Sequence, residues 1–377
     1  MELFICGNPR FLSGGKCAAS TNYGNGPVTV EQRRSHTTVE TAALPQGHAP
    51  AEGVQLLNQV LHEGKVGYHH TPSYNVFLRD GEWPSAGIEL ETHLREFTSR
   101  FAQDAMRDLK SNWFHFERDG SLDRAHSGEY GYELITEPLP PRAYRDQRLW
   151  TGLQNLCNPW LQSFQCEETG LHVHVGLNQF ERFDSIPLKA PDDRRAIGKL
   201  LSAVVYYSVL DQAFVDRVVL RKPGQYCGLP DVKEFTDAAA FVRTGKATGA
   251  SLVDYCVSAL TMRRDSMSRD VPAAMSLVHS EDPGNLSWIG HMYMASGHGT
   301  EINQEHQYTI EFRRAKGTMH ALSIHRIVEL MTSIVRFAGK CCREPDFTVT
   351  RDSFMDWLIQ TTSSEALRNL AKQTKGE

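Results

Sequence analysis

The chain has 377 residues, 40% of them hydrophobic and 23% charged, and a formal net charge of −5 at pH 7. That length can bury a substantial core, as one large domain or two smaller ones, and the composition is that of an ordinary globular protein. The mild negative charge gives no reason to expect nucleic acid or an anionic membrane as a partner, and no apolar run approaches the ~20 residues of a membrane span. The opening Met1-Glu2-Leu3-Phe4-Ile5-Cys6 has neither the basic nor the long apolar region of a secretory leader, which predicts a cytosolic chain. Eight cysteines, at 6, 17, 157, 166, 227, 256, 341 and 342, form no C-x-x-C pair. Reduced thiols are therefore expected, not disulfides or a zinc site.

Residues 1 to about 50 are rich in Gly, Ser, Thr, Asn and Pro without a sustained period and read as loop-like. A short helix is expected at Val54 to His62, then strands at Tyr74 to Arg79 and Ala86 to His93, and an amphipathic helix at Leu94 to Leu109. The strand Trp113 to Arg118, the turn Asp119-Gly120-Ser121 and the strand Tyr130 to Thr136 follow. Pro138, Pro140 and Pro141 end that strand and open a helix to about Trp160. Gly170 to Asn178 reads as a strand. Asp192 to Val219 reads as one long core helix opened by Pro191-Asp192. Helices are expected near 231 to 243 and 251 to 263, with a polar loop from 265 to 287 containing Pro272 and Pro283. The strand Gln307 to Arg313 precedes helices at His320 to Phe337 and Ser353 to Lys372. Strands alternating with covering helices predict an α+β fold, a mostly antiparallel sheet covered by helices.

Three strands carry polar groups at i and i+2, positions that share one face of a sheet. They are Glu89-Leu90-Glu91, His172-Val173-His174 and Glu311-Phe312-Arg313. Burying uncompensated carboxylates costs several kcal/mol, so such a face points to a cation or a charged substrate. Paired carboxylates are oxygen ligands for Mg²⁺ or Mn²⁺. Glu133, with Glu137 in phase on the same strand, offers a further ligand. Asp119 is most simply a turn residue. His172 and His174, bracketed by Gly170 and Gly176, fit a site where something approaches the backbone closely. Each motif also has a bland reading: solvated carboxylates for E-x-E, an edge carboxylate for Glu133, and a salt-bridge ladder for Glu311 and Arg313. Arg314, on the opposite face, is expected to be structural. No G-x-x-x-x-G-K-[ST] and no G-x-G-x-x-G occurs, which disfavours P-loop and Rossmann nucleotide sites.

The ordered set Gly87-Ile88-Glu89-Leu90-Glu91, Asp119-Gly120-Ser121, Gly131-Tyr132-Glu133-Leu134, Gly170-Leu171-His172-Val173-His174-Val175-Gly176 and Ile310-Glu311-Phe312-Arg313 resembles the amidoligase family. Its members are carboxylate–amine ligases related to glutamine synthetase and glutamate–cysteine ligase. The resemblance covers roughly residues 85 to 340 and implies a glutamine-synthetase-like catalytic core. It divides the chain into an N-terminal extension (1–80), a catalytic domain (81–345) and a C-terminal helical segment (346–377). It also implies that Glu89, Glu91, Glu133, His172 and Glu311 hold two or three divalent cations, Mg²⁺ or Mn²⁺, around ATP. His174 and Arg313 would then contact phosphate or the acyl intermediate. Nothing matches the longer substrate-binding loops of those synthetases, so glutamate and ammonia are not implied.

The reaction expected from the resemblance is attack of a carboxylate on the terminal phosphoryl group of ATP, giving an acyl phosphate that an amine captures. Metals and Arg neutralise charge in the first step, and shelter from water protects the second. The loop 265 to 287 is the expected shelter. Partners would be small-molecule or peptide carboxylates and amines, and the number of subunits is left open. Two competing classes are a metal-dependent amide hydrolase, suggested by H-x-H on a strand, and a non-catalytic nucleotide- or metal-binding protein. ATP dependence separates the first reading from both.

Overall fold

The computed structural model describes residues 83–94, 114–118, 122, 131–157, 161–163, 169–221, 238, 240–274, 302–303 and 308–376. The expectations for 1–80, the helix at 95–109, the turn at 119–121 and the helix start at 231–237 lie outside the described residues. So does the loop from 275 to 287. The fold is α+β, with a mostly antiparallel, open sheet and helices.

The strands are β1 (Ala86–Leu94), β2 (Phe114–Arg118), β3 (Gly131–Thr136), β4 (Leu161–Gln162), β5 (Gly170–Gly176), β6 (Ile302–Asn303) and β7 (Thr309–Lys316). Period-two alternation explains the long ones. In β1, Ile88, Leu90 and Thr92 are buried on one face and Glu89 and Glu91 stand on the other. Leu94 closes this strand and does not open a helix. In β5, Leu171, Val173 and Val175 are fully buried, and the strand stops at Gly176, two residues short of Asn178. Asn178–Arg182 instead forms a 3₁₀ turn. The two-residue β4 was not anticipated, being too short to carry a pattern.

The helices are α1 (Pro141–Tyr144), α2 (Gln147–Cys157), α3 (Pro191–Val204), α4 (Gln212–Val219), α5 (Gly249–Ala274), α6 (Ala321–Arg343), α7 (Arg351–Thr361) and α8 (Glu365–Lys375). Pro141 stands at the first helical position of α1, where its missing N–H costs nothing. The helix expected to run to Trp160 is thus two, α1 and α2. The single helix expected from Asp192 to Val219 is also two. A π turn over Val205–Val209 ends α3, with the Leu210 N–H donating to the Val205 carbonyl at 3.2 Å, and Asp211 caps α4 by accepting from the Ala213 N–H at 2.9 Å. Likewise Ser353 to Lys372 divides into α7 and α8, because Ser364 caps a new start by accepting from the Leu367 N–H. The first ten residues of the expected loop 265 to 287 are the end of α5. No Gly or Pro interrupts residues 250–271, so nothing local stops the helix sooner.

The chain forms two compact units. One takes Gly87–His172 and Ala315–His325. There β3 lies between β1 and β2, antiparallel to both, and β4 pairs with the end of β1. The start of α6 is fixed by the Ala321 N–H donating to Gln154 Oε1 at 2.7 Å. The other unit takes Gly81–Ala86, Val173–Arg314 and Arg326–Glu377. Its core includes an aromatic cluster in which the Phe337 ring on α6 lies 4.9 Å from Phe354 and 5.5 Å from Trp357 on α7. The carboxylate of Glu329, fully buried on α6, accepts from Thr362 Oγ1 and the Ser363 N–H, each at 2.8 Å. β6 pairs antiparallel with β7. The three described thiols, Cys256, Cys341 and Cys342, are buried and free. Burial pushes all three upward in pKa, Cys342 to about 12, so they are inert. No helix among the described residues is long and apolar enough to cross a membrane.

Candidate functional site

In the first unit, three of the candidate metal ligands come together. Glu89 and Glu91 project from one face of β1, and His172, near the start of β5, stands against both carboxylates. Its Nδ1 is 3.4 Å from Glu89 Oε2 and its Nε2 is 3.6 Å from Glu91 Oε1. The three side chains are 27%, 12% and 6% exposed, so the imidazole is shielded while Glu89 still reaches solvent. Separations of 3.4 and 3.6 Å are long for strong hydrogen bonds. One imidazole presents only one lone pair when neutral, so its two nitrogens have different tasks. In the tautomer with Nδ1–H directed at Glu89, the Nε2 lone pair and Glu91 Oε1 face each other, two donors of kinds that bind divalent cations.

Glu91 is held at two points. The Gly170 N–H donates to its Oε2, and its backbone carbonyl accepts from Ser163 Oγ at 2.7 Å. A side chain on Gly170 would put a Cβ 3.0 Å from His172 Nε2 and 3.2 Å from Glu91 Oε2. Glycine is what lets the backbone approach the two side chains this closely.

Glu133 on β3 lies directly opposite Glu91 in the antiparallel register, so the two share a face. It is half-buried, whereas its neighbours Tyr132 and Leu134 are fully buried on the other face. Glu137, in phase with it, is buried beyond the end of the strand.

In the second unit, His174, Glu311 and Arg313 come together. Glu311 is 1% exposed; Arg313 donates to its Oε1 at 2.7 Å, and His174 Nε2 stands 3.9 Å from the same oxygen. Arg313 and Glu311 thus make the ion pair that the i, i+2 spacing allowed. Arg314 points the other way, fully buried, donating to Gln212 Oε1 at 2.7 Å and pairing with Asp216. It ties β7 to α4 and has the structural part expected of it.

Four positions escaped sequence reasoning. His93 continues the Glu89, Glu91 face by the same period of two and is fully buried, a signal that was present in the spacing. Glu117 on β2 is the register partner of Glu133, so the backbone aligns Glu91, Glu133 and Glu117 across three strands. Nothing in Phe114-His115-Phe116-Glu117-Arg118 alone announces that row. Ser163 and Thr169 were also passed over, since they act through backbone groups that no sequence motif displays.

Carboxylate oxygens and an imidazole nitrogen are the donor types found around Mn²⁺, and His172 meets Glu89 through one ring nitrogen and Glu91 through the other. Compared with protein-family models and with curated proteins, the chain matches none.

Proposed function

We propose that this protein is an ATP-dependent carboxylate–amine ligase with a glutamine-synthetase-like core, working in the cytosol. The single observation that supports this most is the wedging of His172 between the carboxylates of Glu89 and Glu91 on one sheet face. Two carboxylates sharing a small, partly shielded space with an imidazole favour positive charge there.

Glu89, Glu91 and His172, with Glu133, would hold Mg²⁺ or Mn²⁺ in the first unit, and Glu311 would be a ligand in the second. Such cations supply charge neutralisation on phosphate oxygens when a carboxylate is phosphorylated by ATP. The protein's own residues do the remaining work. Gly170 brings its N–H onto Glu91 with no side chain to push the ligands apart. Arg313 carries a cation that exchanges Glu311 for a phosphate or acyl oxygen, a bidentate-capable group suited to that task. His174, 16% exposed, is placed to orient the acyl oxygen or take a proton from the attacking amine. The resulting product is an amide or peptide bond joining small-molecule or peptide substrates.

The test is release of ADP and phosphate by the purified chain with Mg²⁺ or Mn²⁺, across a panel of amino acids and amines, beside a Glu89→Ala/Glu91→Ala control. Acceptor-stimulated ADP formation that disappears in the control supports the ligase. Metal-dependent amide cleavage without nucleotide would replace it with a hydrolase, and metal binding with neither reaction would leave a binding protein.

A further inference from the structure

We propose that Ser163, Thr169, Gly170 and Gly317 are positioning residues that clamp Glu91 so that one carboxylate oxygen is fixed and the other is presented to a divalent cation. The proposal rests on the metal-binding part of the reading above and is independent of which reaction the metal serves.

The clamp is a connected path. The Gly317 N–H donates to the Thr169 carbonyl at 3.1 Å, Thr169 Oγ1 donates to the Ser163 carbonyl at 2.5 Å, and Ser163 Oγ donates to the Glu91 carbonyl at 2.7 Å. From the end of the same segment, the Gly170 N–H donates to Glu91 Oε2. Glu91 is therefore gripped at its backbone and at one side-chain oxygen by one short stretch of chain. Hydrogen bonding by that fixed N–H leaves Oε1 as the free oxygen, and Oε1 is the one that faces His172 Nε2 at 3.6 Å. A carboxylate held this way is a one-oxygen ligand, not a chelating one.

Two glycines make the arrangement possible. A Cβ on Gly317 would overlap the Ser163 hydroxyl and stand 2.9 Å from Thr169 Oγ1, breaking the path at its middle. A Cβ on Gly170 would crowd Glu91 Oε2 and His172 Nε2 together. Ser163 and Thr169 are themselves 1% and 0% exposed, so their hydroxyls have no solvent to turn to and their directions are set by the clamp. Outer partners of metal ligands commonly govern affinity by 10–100-fold.

The test measures Mn²⁺ affinity of the full chain by calorimetry, without nucleotide, for wild type, Gly170→Ala, Ser163→Ala, Thr169→Val and Thr169→Ser, with a thermal melt of each. Mn²⁺ Kd is expected to rise about tenfold or more in Gly170→Ala and several-fold in Ser163→Ala and Thr169→Val. Thr169→Ser keeps the hydroxyl and is expected to bind like wild type. If Gly170→Ala does not fold, Ser163→Ala and the Thr169 pair decide. Wild-type Kd in the folded Ser163→Ala and Thr169→Val proteins would overturn the clamp while leaving the metal site standing. Equal loss in Thr169→Val and Thr169→Ser would likewise overturn it. Absence of Mn²⁺ binding by wild type would overturn clamp and metal site together.

Discussion

Two regions of this molecule enclose side chains for opposite reasons. Between α6 and α7, Phe337, Phe354 and Trp357 meet ring against ring, and every buried atom gains from leaving water. On the polar face of β1, Glu89 and Glu91 crowd His172, and burial there works against the charges it encloses. The aromatic cluster explains why the chain folds; the strand cluster is a cost that folding alone does not explain. A protein retains such a face where something else repays it.

The sharpest way to break the contrast is Glu89→Ala/Glu91→Ala. If the proposed ligase reading holds, this variant is expected to lower ATP turnover by about 10²–10³-fold or more, as measured by ADP release. The melting temperature without metal should stay level or rise, since two crowded carboxylates are gone. Phe337→Ala should do the reverse. Its cavity is expected to cost about 3–5 kcal/mol in urea unfolding, with Mn²⁺ affinity of the folded protein unchanged.

Lys199, fully buried in α3, blurs the division usefully. Burial, with the nearby Arg195 cation adding to it, lowers its pKa from 10.5 to about 7. The unfolded chain keeps that proton up to about pH 10.5 while the folded chain gives it up near 7, so stability should rise across that window and be flat below it. The rise should amount to a few kcal/mol in urea titrations at pH 6, 8 and 10. Lys199→Met should abolish it and be the more stable protein at pH 6. Smallest is Thr362→Val, which removes one donor from the buried Glu329 carboxylate. A loss of about 1–2 kcal/mol in the same titration is expected, with no effect on metal binding.

What was legible in the sequence follows from the same contrast. Strands β1, β3, β5 and β7 were readable because apolar residues alternate with polar ones, and the alternation placed Glu89, Glu91 and Glu133 on their faces before any coordinates. Arg314 was assigned to the opposite face of β7 from Glu311 and Arg313 by the same rule, and it lies there. Helix ends were harder. Apolar spacing runs unbroken through Val204, Val205, Val209 and Leu210, so the pattern hides the end of α3, although Asp211 is a cap residue in plain view. Ser364 was a similar unread stop between α7 and α8. The polar stretch after Arg264 looked like a loop because of its polarity and of Pro272 and Pro283, yet no breaker stands between Ala250 and Val271, and the helix continues to Ala274. For the site, side-chain identities were visible and backbone donors were not. An N–H aimed at Glu91 is a property of where Gly170 lies in space, which no spacing rule conveys.

The π turn at Val205–Val209 bears on how this chain tolerates changes of length. Its wider loop, closed from Leu210 back to Val205, holds one residue more than a regular turn does. Removing one residue there can restore ordinary helical winding while the flanking segments keep their faces. A deletion anywhere earlier in α3 would instead rotate all that follows by ~100° and carry buried groups toward solvent. The turn is thus the place in this helical segment where a gap between related chains would fall.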